Sequence, residues 1–75
     1  MADERTFHAG DLTTDHLGHV CEFDGPSPTA PLASVTHTLE HRDDGQFIVG
    51  MTRVELVGHA GEYFIDPDTL VRVAP

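Results

Sequence analysis

Val35-Thr36-His37-Thr38-Leu39-Glu40-His41-Arg42-Asp43-Asp44-Gly45-Gln46-Phe47-Ile48-Val49 reads as two strands joined by a tight turn, and the rest of the chain is read outward from it. Val35 to Leu39 is rich in β-branched residues, which suit a pleated surface. Asp43-Asp44-Gly45 predicts a type I turn with Gly45 left-handed, the three-residue hairpin loop. That register sets His41 opposite Phe47, Leu39 opposite Val49 and His37 opposite Met51, with Val35, His37, Leu39 and Met51 on one face. The return strand then loses its alternation. Phe47, Val49 and Met51 are odd-numbered, whereas Val54 and Leu56 are even-numbered, and a period of two cannot place all five on one face. A bulge or sharp bend near Thr52 and Arg53 reconciles them.

Toward the N-terminus, Thr13 is a helix cap, Asp15 favours the positive end of a first turn, and Gly18 suits a left-handed stop. A single helical turn is expected over residues 14 to 17, with Leu12 and Leu17 packed inward. Residues 1 to 10 are polar apart from Phe7 and read as a loose arm. His19 to Phe23 is a short strand that buries Cys21. Gly25 to Pro31 carries three prolines and reads as loop or sheet edge, since proline donates nothing to a ladder. Beyond the hairpin come a turn at Gly58 to Gly61, a strand at Glu62 to Ile65, a capped single turn at Asp66 to Thr69, and a last strand at Leu70 to Val73. The whole, residues 1–75, is expected to be one mainly β domain: the arm 1–10 and a body 11–75.

This order of elements, over residues 19 to 74, resembles a small five-stranded SH3-like barrel with a short N-terminal helical turn. The resemblance implies that Asp66 to Thr69 is the 3₁₀ turn between the last two strands. An Sm-like barrel, which also begins with a helix before five strands, is the alternative. The opening Asp11-Leu12-Thr13 with Asp15, Leu17 and Gly18 resembles small uncharacterised proteins of actinobacteria and their phages. The chain departs from SH3 domains that bind proline-rich ligands: Phe7, Phe23, Phe47, Tyr63 and Phe64 are its only aromatic residues and it has no tryptophan.

Formal charge is −9, from 13 acidic residues against four arginines, with no lysine. Such a field repels phosphate backbones, so direct nucleic-acid binding is not expected. It serves solubility, or it forms an acidic face for a basic partner. One cysteine allows no internal disulfide, and no apolar run is long enough to span a bilayer. A cytoplasmic protein is expected, with no membrane partner. Absent lysine and asparagine, with only two isoleucines, point to a GC-rich genome such as that of an actinobacterium or its phage.

Six histidines raise the question of a metal. His37 and His41, four residues apart on a strand, stand about 13 Å apart and cannot share an ion. His16 and His19 have i, i+3 spacing beside Asp15, but Gly18 interrupts the helix between them. His59 and Glu62 flank a turn. None of these is a metal signature, and no cofactor is expected. Nucleophile elbow, phosphate loop and HExxH are all missing. Cys21 and His19 lack a third group to orient the base, so no enzyme is expected. Tyr63, Phe64 and Phe23 as an aromatic cage compete with ordinary core packing, and Tyr63 and Phe64 must face opposite ways. Arg53 is expected to pair with Glu55 or Glu40.

The reading that follows is a small protein–protein interaction module, phage-encoded and acting on a host protein. Its candidate contacts are Glu62 and Tyr63 on a strand edge and His41, Asp43 and Asp44 at the hairpin turn. A homo-oligomeric structural or virion-associated protein and a histidine-dependent metal binder are the alternatives.

Overall fold

A computed structural model describes residues 5–75. Six antiparallel strands form the sheet: β1 (Arg5–His8), β2 (Val20–Phe23), β3 (Ala30–His41), β4 (Phe47–Leu56), β5 (Tyr63–Ile65) and β6 (Leu70–Val73). Their spatial order is β1-β6-β2-β3-β4-β5. Two 3₁₀ turns, Ala9–Asp11 and Thr14–His16, are the only helical elements among the described residues.

The chain is mainly β as expected, but the sheet is open, with six strands where a closed five-stranded barrel was expected. The extra strand comes from the segment read as a loose arm. Arg5 to His8 pairs with Val73 to Leu70, so β6 lies between β1 and β2 and the sheet ends on β1. At the other end β5 is three residues long and ladders only to β4. Residues 1–4, the rest of the predicted arm, lie outside the described residues. The segment Asp66 to Thr69 is a β-turn, with no 3₁₀ helix. Thr69 N–H donates to the Asp66 carbonyl at 2.9 Å, and the Asp66 side chain accepts from Asp68 N–H at 2.9 Å.

The expected cap is present. Thr13 Oγ1 accepts from Asp15 N–H at 3.3 Å, and Thr13 N–H donates to His16 Nδ1 at 2.9 Å. Leu12 is buried beneath this turn, but Leu17 is exposed, because its extended backbone already leads out of the helical turn. Gly18 follows in the left-handed region, at φ 85°.

β3 changes neighbours along its length. Ala30 and Pro31 pair with β2, and Leu32 to His41 pair with β4. The sheet folds over along this strand, and one core joins both halves: Cys21, Phe23, Val71 and Val73 from one side, Leu32, Val54, Leu56 and Ile65 from the other, with Ala9 and Leu12. Pro31 sits inside a strand where a loop or sheet edge was expected. It lies near the start of the strand, and its carbonyl still accepts from Val57 N–H at 2.9 Å.

The hairpin has the expected three-residue loop. Arg42 N–H donates to the Gln46 carbonyl at 2.7 Å, Gly45 N–H to the Arg42 carbonyl at 3.0 Å, and Gly45 has φ 85°. His41 faces Phe47 and Leu39 faces Val49, as predicted. The bulge comes earlier than expected, at Gly50 instead of Thr52–Arg53, so Thr52 and not Met51 stands opposite His37. A second irregularity at Ala33 shifts β3 between Leu32 and Ser34. Each strand therefore switches parity once. At the root the core face carries Leu32, Val35 and His37 from β3 and Thr52, Val54 and Leu56 from β4, and further out the same face presents Leu39, His41, Phe47 and Val49. Gly50 suits its bulge for a second reason: a Cβ there would collide with the Glu40 side chain.

Candidate functional site

The hairpin divides into a buried root and an exposed ribbon. At the root, Thr52 and Val54 are fully buried and Leu56 nearly so. Beyond Thr52, neither β5 nor β2 accompanies the two strands, because β5 pairs only with Thr52 to Val54 and β2 only with Ala30 and Pro31. The ribbon from Thr38 to Met51 thus has no third strand beside it, and only its foot, at Ile48 and Val49, approaches the first 3₁₀ turn and Pro67. A radius of gyration of 12.7 Å, against about 11 Å for a compact chain of this length, agrees with a projecting element.

The side chains on this ribbon are apolar out of keeping with its exposure. Phe47 is 64% exposed, Leu39 60%, Ile48 42% and Met51 40%. Phe47 and Leu39 extend the face that forms the core at the root, but here no protein covers it. Ile48 and Met51 add apolar surface on the reverse side. His41 packs on Phe47 with ring centroids 5.1 Å apart and an interplanar angle of 49°, a tilted cross-strand pair that stiffens the tip. Polar groups frame the strip. His41, Arg42, Asp43 and Asp44 line a shallow depression at the tip, and His8, Asp11, Ile48, Val49, Pro67 and Asp68 line another at the foot.

The five residues singled out from the sequence fall into two groups. His41, Asp43 and Asp44 stand together at the ribbon tip. Asp44 is partly committed to the turn, since its carboxylate accepts from Gln46 N–H at 3.0 Å. Tyr63 opens the edge strand β5 beside β4, at the root, and Glu62 immediately precedes it. Glu62 pairs with Arg53 at 3.5 Å, replacing the Glu55 or Glu40 partner expected for that arginine. Tyr63 is half-buried against the core, whereas Phe64 points outward. Phe23 is in the core, so the three aromatic residues do not form a cage. The sequence reading missed Leu39, Phe47, Ile48 and Met51 as a surface. The signal was the parity switch itself, which carries an apolar face past the end of the neighbouring strands.

Three of the six histidines, His16, His19 and His37, are held by hydrogen bonds of the fold. His37 Nε2 lies 2.7 Å from the Leu12 carbonyl, which only accepts, so Nε2 carries a proton; Nδ1 lies 2.8 Å from Thr52 Oγ1. His16 Nδ1 takes the Thr13 N–H, which leaves its proton on Nε2. His19 Nδ1 donates to the Ala74 carbonyl at 2.8 Å, leaving one lone pair on Nε2. His16 and His19 do line a common depression with Asp15, Arg5 and Phe7. Their hydrogen bonds nevertheless orient one ring as a donor and the other as an acceptor, whereas a metal needs two lone pairs. No group of three or more His, Cys, Asp or Glu has metal-binding geometry among the described residues. Cys21 is fully buried, and its Sγ–H reaches the His19 carbonyl at 3.5 Å; desolvation pushes its pKa up, away from thiolate chemistry.

Among the described residues no helix is long and apolar enough to cross a membrane. No family model, curated protein or solved structure matches the chain.

Proposed function

We propose that this protein is a protein–protein interaction module that docks through its projecting hairpin. One observation carries the reading: Leu39 and Phe47 are more than half exposed on the very face that, at Val54 and Leu56, is buried. Fully burying a large apolar side chain is worth about 1.5–3 kcal/mol. A few such side chains at the centre of a contact commonly carry most of its binding energy, inside a rim that excludes water. An isolated two-stranded ribbon is marginal in water, so such a strip exposed on it fits a docking role better than an architectural one.

The residue usage is that of a GC-rich genome, in keeping with our reading of a phage-encoded protein that acts on a host protein in the cytoplasm. The unpaired edges of β1 and β5 favour self-assembly as the second reading, because open edges are where copies of a chain add to one another. A tagged pull-down from a GC-rich actinobacterial lysate tests the first. The expected result is a stoichiometric protein that the wild-type chain retains and the Leu39→Ser/Phe47→Ser variant loses. Retention by that variant, or no partner with a stable oligomer in light scattering, would turn the reading to self-assembly.

A further inference from the structure

We infer that the hairpin's partner presents an apolar cleft rimmed by lysine and arginine. This rests on the hairpin being the docking element and adds the chemistry of what it docks into. The argument is the charge that frames the apolar strip. Asp43 and Asp44 stand at the tip, Glu40 lies over Gly50 midway, and Asp11 and Asp68 line the depression at the foot beside Ile48 and Val49. Against these carboxylates the ribbon carries one guanidinium, Arg42. His8 lies 3.8 Å from Asp11 and faces the same depression.

Docking the strip brings these carboxylates to the edge of a contact from which water is excluded, where charge interactions strengthen. A neutral partner would leave them partly desolvated without compensation. A second copy of this chain would set the same carboxylates against each other in a two-fold contact, on molecules that each carry −9. Nucleic acid and anionic lipid carry the wrong sign altogether. A basic rim alone turns the frame into an attraction. The apolar strip then supplies affinity, while the carboxylates supply orientation and a fast, salt-sensitive encounter.

The test uses the full chain, isotope-labelled for NMR, and three short extended peptides of identical apolar content: alternating Lys-Val, Glu-Val and Ser-Val. The Lys-Val peptide is expected to shift the amides of residues 38 to 51 together with Gly10 and Asp68, and to lose about tenfold in affinity between low and physiological salt. Asp43→Asn/Asp44→Asn is expected to weaken it about fivefold. The control pair Asp24→Asn/Glu55→Gln, which removes the same charge elsewhere, is expected to leave it unchanged. Equal binding of the Glu-Val peptide, shifts centred on Asp24, Glu55 or Glu62, or an equal effect of the control pair would overturn the inference. So would a dimer of the protein alone that Phe47→Ser dissociates. A lysate partner that depends on Leu39 and Phe47 but ignores salt would leave the docking hairpin standing and remove only its basic partner.

Discussion

His37 Nδ1 lies 2.8 Å from Thr52 Oγ1 across the β3–β4 ladder, at the point where the buried root becomes the exposed ribbon. Thr52 is the only buried polar residue among those described, and His37 is the partner that satisfies its hydroxyl. The other ring nitrogen ties the same imidazole to Leu12, so one side chain fastens the 3₁₀ segment to the hairpin. His37→Leu is expected to destabilise the fold by about 1–3 kcal/mol, the usual penalty for a buried hydroxyl left unpaired. Thr52→Val alone is expected to cost less, and the double variant to recover part of the loss. A double-mutant cycle by urea denaturation measures this; strict additivity would show that the pair is not coupled.

Gly10 sits against the turn between β5 and β6. Its N–H donates to the Pro67 carbonyl at 2.9 Å, and a Cβ on residue 10 would stand 2.9 Å from Pro67 Cβ. A proline ring cannot swing aside, so Gly10→Ala is expected to push the first 3₁₀ turn off its partner and cost about 1–2 kcal/mol. Ala9 N–H, which donates to Thr69 at 2.8 Å, is expected to lose hydrogen-exchange protection in the same variant. Unchanged protection would mean that the neighbouring turn gives way instead.

Root and ribbon residues are expected to respond oppositely to truncation. Leu32→Ala, in the core, is expected to cost about 2–5 kcal/mol. Leu39→Ser and Phe47→Ser are expected to stay within about 0.5 kcal/mol of wild type in thermal or urea unfolding while lowering the binding of a hydrophobic dye. A large loss of stability from Phe47→Ser would place that ring in the packing of the fold and not on a docking surface.

Burial holds the Cys21 thiol protonated above its ordinary value of 9.0. The folded state therefore keeps a proton that the unfolded chain gives up. The sign follows: no contribution at neutral pH, then stability falling as pH rises past about 9. Cys21→Ala is expected to flatten that alkaline decline, and the native thiol to react with an aromatic disulfide reagent only at the rate of unfolding. Rapid reaction in native buffer would show an accessible thiol.

The hairpin was legible in the sequence because its determinants are local. Asp43-Asp44-Gly45 specifies the loop, and the register near it follows by counting. The parity break was legible too, but its position was not. Gly50 was the available signal, since glycine within a strand marks a bulge, and the bend was instead sought at Thr52. β1 was not legible for a different reason. Arg5 to His8 has no apolar alternation beyond Phe7, and its partner β6 lies at the far end of the chain, so nothing nearby announces the pairing. The exposed strip was hidden by the same logic: Leu39 and Phe47 look like core residues until the neighbouring strands are seen to stop short.

The two irregularities at Ala33 and Gly50 behave like a pair of compensating frameshifts. One extra residue in β3 is answered by one in β4, so the cross-strand numbering at Leu32–Leu56 and at Leu39–Val49 falls on the same sum. Everything beyond Gly50 is in phase with everything before Ala33. The ribbon is thus an interchangeable cassette. Another two-stranded tip spliced in at Leu39 and Val49, beyond both irregularities, would inherit its facing from the root, and its side chains could change without disturbing the core contacts of Thr52, Val54 and Leu56.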